Sequence, residues 1–193
     1  MALMKIYKFP DEVLSQKALP IEEVKESYRK LSEDMLETMY DSPGIGLAAN
    51  QIGLLERIIV VDVDYSFEEL EEGEEIPEGA KPVQGGYIFE ANPRVFINPE
   101  IIAQEGEIYF EEGCLSVPDY TAEVRRAEKI TVEYLDLDGQ KQTLEAEDIL
   151  AVCIQHEMDH LDGKLFIDRL SSVKREMAKK KLLKARKKLE ENL

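Results

Sequence analysis

Tryptophan is absent from this 193-residue chain, cysteine and histidine occur twice each, and no apolar run approaches the ~20 residues needed to cross a bilayer. The missing apolar run excludes a helical membrane protein, and no membrane partner is expected. Residues 1–17 hold no apolar segment of signal-peptide length and reach an acidic side chain by Asp11. Neither an export nor a transit signal is therefore expected, and the compartment implied is the cytoplasm. Without an export signal, Cys114 and Cys153 are poor candidates for a lone disulfide, which leaves thiol or metal chemistry as the better reading. Aromatics are few, at 7%, but 44% hydrophobic and 34% charged residues are the balance of one folded domain with a useful core, neither fibrous nor disordered.

Positive charge is scarce as well: 24 Lys and Arg stand against 41 Asp and Glu, a net charge of -17. The deficit is uneven. Nine of the cations and three glutamates fall in residues 171–193, so that tail carries +6 and residues 1–170 carry -23. An acidic body with a basic end suggests a separate partner for the tail.

Apolar residues at helical spacing (Val24, Tyr28, Leu31, Met35, Met39) predict an amphipathic helix over Ile21–Tyr40, stopped by Ser42-Pro43-Gly44. The β-branched run Arg57–Val63 reads as a buried strand. From Asp64 to Asn92 the composition turns to Glu, Gly and Pro, which predicts a long acidic loop. Strand-like segments resume near Val95–Ile97 and Glu107–Phe110. Residues Lys129–Ala146 form two alternating arms around Asp138-Gly139, a dipeptide favoured in type I′ hairpin turns. Asp148–Leu161 has helical periodicity and a glycine stop at Gly163, and Ser171–Glu190 reads as a last helix, basic on most faces. Strands followed by a functional helix predict an α+β fold in which strands and hairpins surround that central helix, with further helices at both ends. The expected organisation is a catalytic body over residues 1–170, carrying an acidic insertion at 64–92, and a basic helix over 171–193.

Both histidines lie in the central helix, in His156-Glu157-Met158-Asp159-His160, an H-E-x-x-H motif. Positions i and i+4 share one helical face about 5–6 Å apart, so both imidazoles can reach one metal ion while Glu157 flanks it as a base. Ile149, Val152, Cys153, His156 and His160 continue one stripe, so the histidines extend an apolar face instead of turning to solvent. A catalytic metal needs a third protein ligand, and no further histidine is available. Cys114, in Glu111-Glu112-Gly113-Cys114-Leu115-Ser116, is stereochemically suited to the place; the alternative is a small buried hydrophobe.

Gly44-Ile45-Gly46-Leu47-Ala48-Ala49-Asn50-Gln51, Glu112-Gly113-Cys114-Leu115-Ser116 and Gln155-His156-Glu157-Met158-Asp159-His160 resemble, in order and rough spacing, the three signature motifs of peptide deformylases. The resemblance covers nearly the whole chain. It implies that Cys114, His156 and His160 bind one divalent metal ion, natively Fe2+, with Zn2+, Ni2+ or Co2+ able to take the site. It implies that Glu157 is general base and acid, and that Gln51 and the Leu115 backbone N–H form an oxyanion hole. Backbone at Ile45, Gly46 and Gly113 would pair with the peptide, and Phe110, Ile149, Val152 and Cys153 would line a methionine pocket. The implied reaction is metal-assisted attack of water on the formyl carbon of N-formyl-methionyl nascent chains, releasing formate. The resemblance also includes relatives whose C-terminal helix contacts the ribosome, a partner that the basic tail here would suit. Asn50 stands where many relatives have proline, and Tyr120-Thr121 where an arginine is often found. Two rival readings share the residues: an endopeptidase using the same H-E-x-x-H chemistry, against which the missing downstream ligand argues, and an inactive ribosome or RNA adaptor, against which Glu157 and Gln51 argue.

Overall fold

In Ile58-Ile59-Val60-Val61 every side chain is buried, and strand geometry sends alternate residues to opposite faces, so this run needs a cover on each side. The computed structural model, which describes residues 3–71, 73 and 75–191, supplies both. Ile58 and Val60 are buried with Met35, Met39 and Tyr40 of helix α1 (Glu26–Asp41). Ile59 and Val61 are buried with Ala151, Ile154 and Leu161 of helix α2 (Asp148–Leu161).

The run is strand β2 (Ile58–Val61) of a five-stranded antiparallel sheet. Strand β1 (Gly46–Ala48) pairs with β2, and β6 (Arg94–Glu105) follows on the other side. The hairpin of β9 (Lys129–Leu135) and β10 (Lys141–Glu147) completes the order β1-β2-β6-β9-β10. A separate three-stranded sheet joins β3 (Ser66–Glu69), β5 (Gly86–Phe89) and β4 (Lys81–Val83), and β7 (Ile108–Cys114) with β8 (Val117–Arg126) forms a two-stranded ribbon. Helix α2 is buried on nearly every face, because sheet, ribbon and the N-terminal segment all close on it. Helix α3 (Ser172–Glu191) docks by Ala178 and Leu182, buried with Val117, Phe166 and Ile167.

The α+β class and the central helix match the sequence reading; several boundaries do not. Helix α1 begins at Glu26, not Ile21. Ile21 is instead fastened to strand β6, its N–H donating to Asn98 Oδ1 (2.8 Å) and its carbonyl accepting from Asn98 Nδ2 (2.7 Å). The expected acidic loop at 64–92 contains the whole three-stranded sheet, anchored by Phe67, Val83 and Ile88 in the α1 core. Asp138-Gly139 does form the hairpin turn, but only Gly139 has a positive φ (74°). A type I′ turn requires two, so the five-residue connection is of another kind, closed by Asp136 Oδ1 accepting from the N–H groups of Asp138 and Gln140. Of the apolar residues at helical spacing in the last helix, Ala178 and Leu182 are buried, Ala185 is exposed, and the side chain of Leu189 lies outside the described residues.

Candidate metal centre and peptide cleft

Cys114 ends β7, and His156 and His160 project from α2. Their potential ligand atoms all lie within 4.8 Å of one another, and Cys114 Sγ is 3.2 Å from His160 Nε2. Tetrahedral bonds of about 2.0–2.3 Å to one ion would set such ligands roughly 3.4–3.6 Å apart. The donor set therefore fits a single divalent cation, and a thiolate with two imidazoles is chemically suited to Fe2+, Co2+, Ni2+ or Zn2+.

Glu157 stands beside this group, 4% exposed, and its Oε2 has no hydrogen-bond partner among the described residues. Burial, opposed by His156 and aided by Glu112, pushes its carboxyl up to about 7. The site needs a glycine opposite: a Cβ on Gly46 would lie 2.5 Å from Glu157 Oε1 and 2.8 Å from Cys153 Sγ. Gln51 lies in a 3-10 turn (Ala49–Ile52) directly after β1. Its Oε1 accepts from the Ala48 N–H (2.8 Å), which turns Nε2 toward Ser116 Oγ (3.2 Å) and Cys114 Sγ (3.6 Å). The amide thus presents its donor end to the centre.

Above the centre lies a cleft of about 430 Å³. Ile45, Gly46, Gln51, Phe110, Gly113, Leu115, Ile149, Val152, Cys153 and Glu157 all line it, with Cys114 and His156. His160, 1% exposed, lies behind them. Two strand edges flank the cleft: among the described residues β1 is the terminal strand of its sheet and β7 pairs only with β8. The Ile45 carbonyl already accepts from the Asp62 N–H (2.9 Å) and the Cys153 thiol (3.4 Å), so what Ile45 backbone can offer a peptide is its N–H. Gly46, next along, carries its N–H and C=O on the unpaired edge of β1. Gly113 sits where the β7–β8 register shifts, yet a Cβ there would meet Thr121 Cγ2 at an ordinary 3.5 Å, so its protein neighbours do not require a glycine at this position. Burial raises the Cys153 thiol well above its usual range, so it belongs to the wall as a neutral group.

Behind the histidines lies a charged network. Glu112 Oε2 is 2.7 Å from His156 Nδ1. Arg126 reaches both Glu112 and Asp159, and Asp159 also binds Arg169. Burial alone would lower His156, but Cys114 and Glu112 hold it well above the usual imidazole range. Burial and then the charge of His156 push His160 down. Burial would raise both carboxyls, but Arg126 and then His156 hold Glu112, and Arg169 and then Arg126 hold Asp159, below the usual carboxylate range. The Phe166 ring stacks on His156 with centroids 6.0 Å apart.

Residues 3–176 match the family model described as polypeptide deformylase. The chain belongs to the polypeptide deformylase family. It is 50% identical over 190 residues to peptide deformylase 2 of Xanthomonas campestris, covering 97% of this chain and 98% of the relative. A peptide deformylase of Stenotrophomonas maltophilia is as similar, at 50% identity and the same coverage. Among solved structures, a peptide deformylase from Legionella pneumophila is similar with a TM-score of 0.79 and 42% identity, covering 100% of this chain and 99% of that one. A plant peptide deformylase is similar with a TM-score of 0.80 and 30% identity, covering 100% and 94%. The chain is thus an enzyme of a family of metal-dependent hydrolases. Glu112, Arg126, Asp159 and Ser116 were not among the residues singled out from the sequence, although Glu112, Ser116 and Asp159 lie inside the deformylase motifs quoted above. Arg126 carries no local signal, since its partners are 14 and 33 residues away.

Proposed function

We propose that this deformylase removes the formyl group from the N-terminal formyl-methionine of nascent chains, yielding formate and a free amino terminus. The observation that carries the reading is a Cys114-His156-His160 set, both histidines buried and Cys114 half-buried, beside Glu157 at the floor of an apolar cleft between two unpaired strand edges. Cys114, His156 and His160 would hold the metal, which when bound supplies Lewis acidity and a water acidic enough to deprotonate near neutral pH. Fe2+ is the proposed native ion, on the strength of the family resemblance.

Glu157 takes a proton from the attacking water and returns it to the leaving amine; a carboxyl poised at about 7 suits both directions at neutral pH. Gln51 Nε2, aimed at the centre by the Ala48–Gln51 bond, and the Leu115 N–H are the donors assigned to the developing oxyanion, each worth roughly 10²–10³ in rate. Phe110, Ile149, Val152 and the neutral Cys153 form the wall for the methionine side chain. Gly46, Gly113 and the Ile45 N–H pair with peptide backbone, as strand edges do with an extended ligand.

Residues 1–170 are assigned to catalysis in the cytoplasm, and the basic helix from residue 171 to ribosome contact, a reading supported by its charge. Incubating the enzyme with formylated and unformylated peptides of one sequence, and weighing the products, tests the reaction. A loss of 28 Da from the formylated peptide alone, the mass difference of CO, is expected; internal cleavage of either would support an endopeptidase instead.

A further inference from the structure

The proposed ligand set is divided between two bodies. Cys114 rides on the β7–β8 ribbon, which shares no ladder with the five-stranded sheet, whereas His156 and His160 ride on α2. Gln155 ties the helix to the end of the ribbon, its amide bonding both the N–H and the carbonyl of Ala127 (3.0 and 2.9 Å). That link sits beyond the last residue of β8 and touches neither the Cys114 end of β7 nor either histidine.

Two side chains of the ribbon span the gap at the level of the ligands, Glu112 through its bond to His156 Nδ1 and Arg126 through a longer bridge. Arg126, whose side chain is 2% exposed, donates from Nε to Glu112 Oε1 (2.6 Å) and from Nη2 to Glu112 Oε2 (2.9 Å). Its third arm, Nη1, donates to Asp159 Oδ2 (2.6 Å). Glu112 is two residues from Cys114 and bonds His156 Nδ1; Asp159 immediately precedes His160. A single guanidinium therefore joins the carboxylate behind one histidine to the carboxylate beside the other, and fixes the ribbon to the helix. The planar fork matters here, because one ammonium cannot reproduce a two-point grip on Glu112 and a third bond at a fixed angle to it.

We infer that Arg126 is a positioning residue for the metal centre: it holds Glu112 against His156, so that Nδ1 carries the hydrogen and Nε2 is left as the ligand atom. By the same bonds it keeps the Cys114 ribbon at metal-binding distance from α2. Stability gives a poor reason for the arrangement, since buried ion pairs are often no more stabilising than apolar residues of the same volume. Geometry gives a better one.

The inference rests on the metal reading above, and cobalt separates the two. Co2+ affinity is measured by competition with a chromophoric chelator on the full chain, together with the thiolate-to-cobalt charge-transfer band that reports the Cys114 bond. Arg126→Lys and the triple variant Glu112→Gln/Arg126→Met/Asp159→Asn, in which all three buried charges are removed, are compared with wild type. The triple variant leaves no unpaired buried charge, so it serves where Arg126→Met alone fails to fold. Exposed Arg125, paired with Glu107 at the surface, provides the control Arg125→Met. The expected result is about 10–100-fold weaker Co2+ binding and a shifted or weakened thiolate band in both Arg126 variants, with the control at wild-type values. Wild-type affinity and an unchanged band in both overturn the inference alone. A wild type that binds no Co2+ overturns the metal reading, and the inference with it.

Discussion

Glu157 occupies a place where a charge is costly. It is buried, one oxygen lacks a partner among the described residues, and its carboxyl is pushed up to about 7 chiefly by burial. Such a group can both accept and donate a proton near neutral pH, which is what the proposed reaction asks of it. Glu157→Gln keeps the volume and removes the proton, so turnover should fall by about 10²–10⁴-fold while metal content measured by elemental analysis stays at the wild-type level. Near-normal turnover in the metal-loaded variant would remove Glu157 from the mechanism. His156, Glu157 and His160 were legible in the sequence because helical spacing alone brings i and i+4 together. The Cys114 placement was legible only as one of two options until β7 was seen to end beside α2. Arg126 was not legible, because nothing within its own strand distinguishes a buried arginine from the exposed Arg125 next to it.

Helix α2 shows the same contrast at the level of elements. Its bounds, Asp148–Leu161, coincide with the sequence reading, since both the periodicity and the left-handed Gly163 (φ 70°) are local signals. The sheet formed by β3, β5 and β4 was hidden, because its strands are short, the connection between β3 and β4 is Glu-rich, and its pairing joins residues such as Ser66 and Phe89 that are distant in sequence. What orders it is burial of Phe67, Val83 and Ile88 against α1, which composition cannot report. This small sheet also reaches the cleft: the Tyr65 hydroxyl donates to the Gly44 carbonyl (3.0 Å), and Gly44 lines the cleft rim. Glu68 and Glu69 are exposed on its strand β3, and Glu75 is exposed in the connection from β3 to β4. Changing all three to Gln should raise KM for formyl-Met peptides with basic residues downstream and lower it for acidic ones. Both effects should fade at high salt, because exposed charges are screened beyond about 10 Å at 0.1 M. KM values insensitive to the substitutions for both peptide classes would leave the acidic sheet without a role in substrate choice.

Across the whole molecule, charge is segregated between a body at -23 and a tail at +6, and the basic helix is not a loose appendage. Ala178 and Leu182 are buried with Phe166, whose ring stacks on His156, and Lys181 lies over the Tyr120 ring (5.3 Å). Deleting the helix would therefore strip packing from behind the metal centre, although every assigned catalytic residue precedes Leu161. Reversing exposed charges is the cleaner probe. Lys180→Glu/Lys184→Glu/Lys188→Glu leaves the buried contacts in place and should abolish low-salt co-sedimentation with ribosomes, since phosphate contacts act through counterion release, while activity on a short formyl-Met peptide is retained. Undiminished sedimentation would mean that the helix is not the anchor. The reaction itself is tested most directly by formate release from a formyl-Met peptide before and after metal is removed with a chelator, then with Fe2+ or Co2+ restored. Formate should form, cease with the metal and return with it; formate release that persists in fully metal-free protein would contradict a Cys114-His156-His160 metal centre as the seat of catalysis.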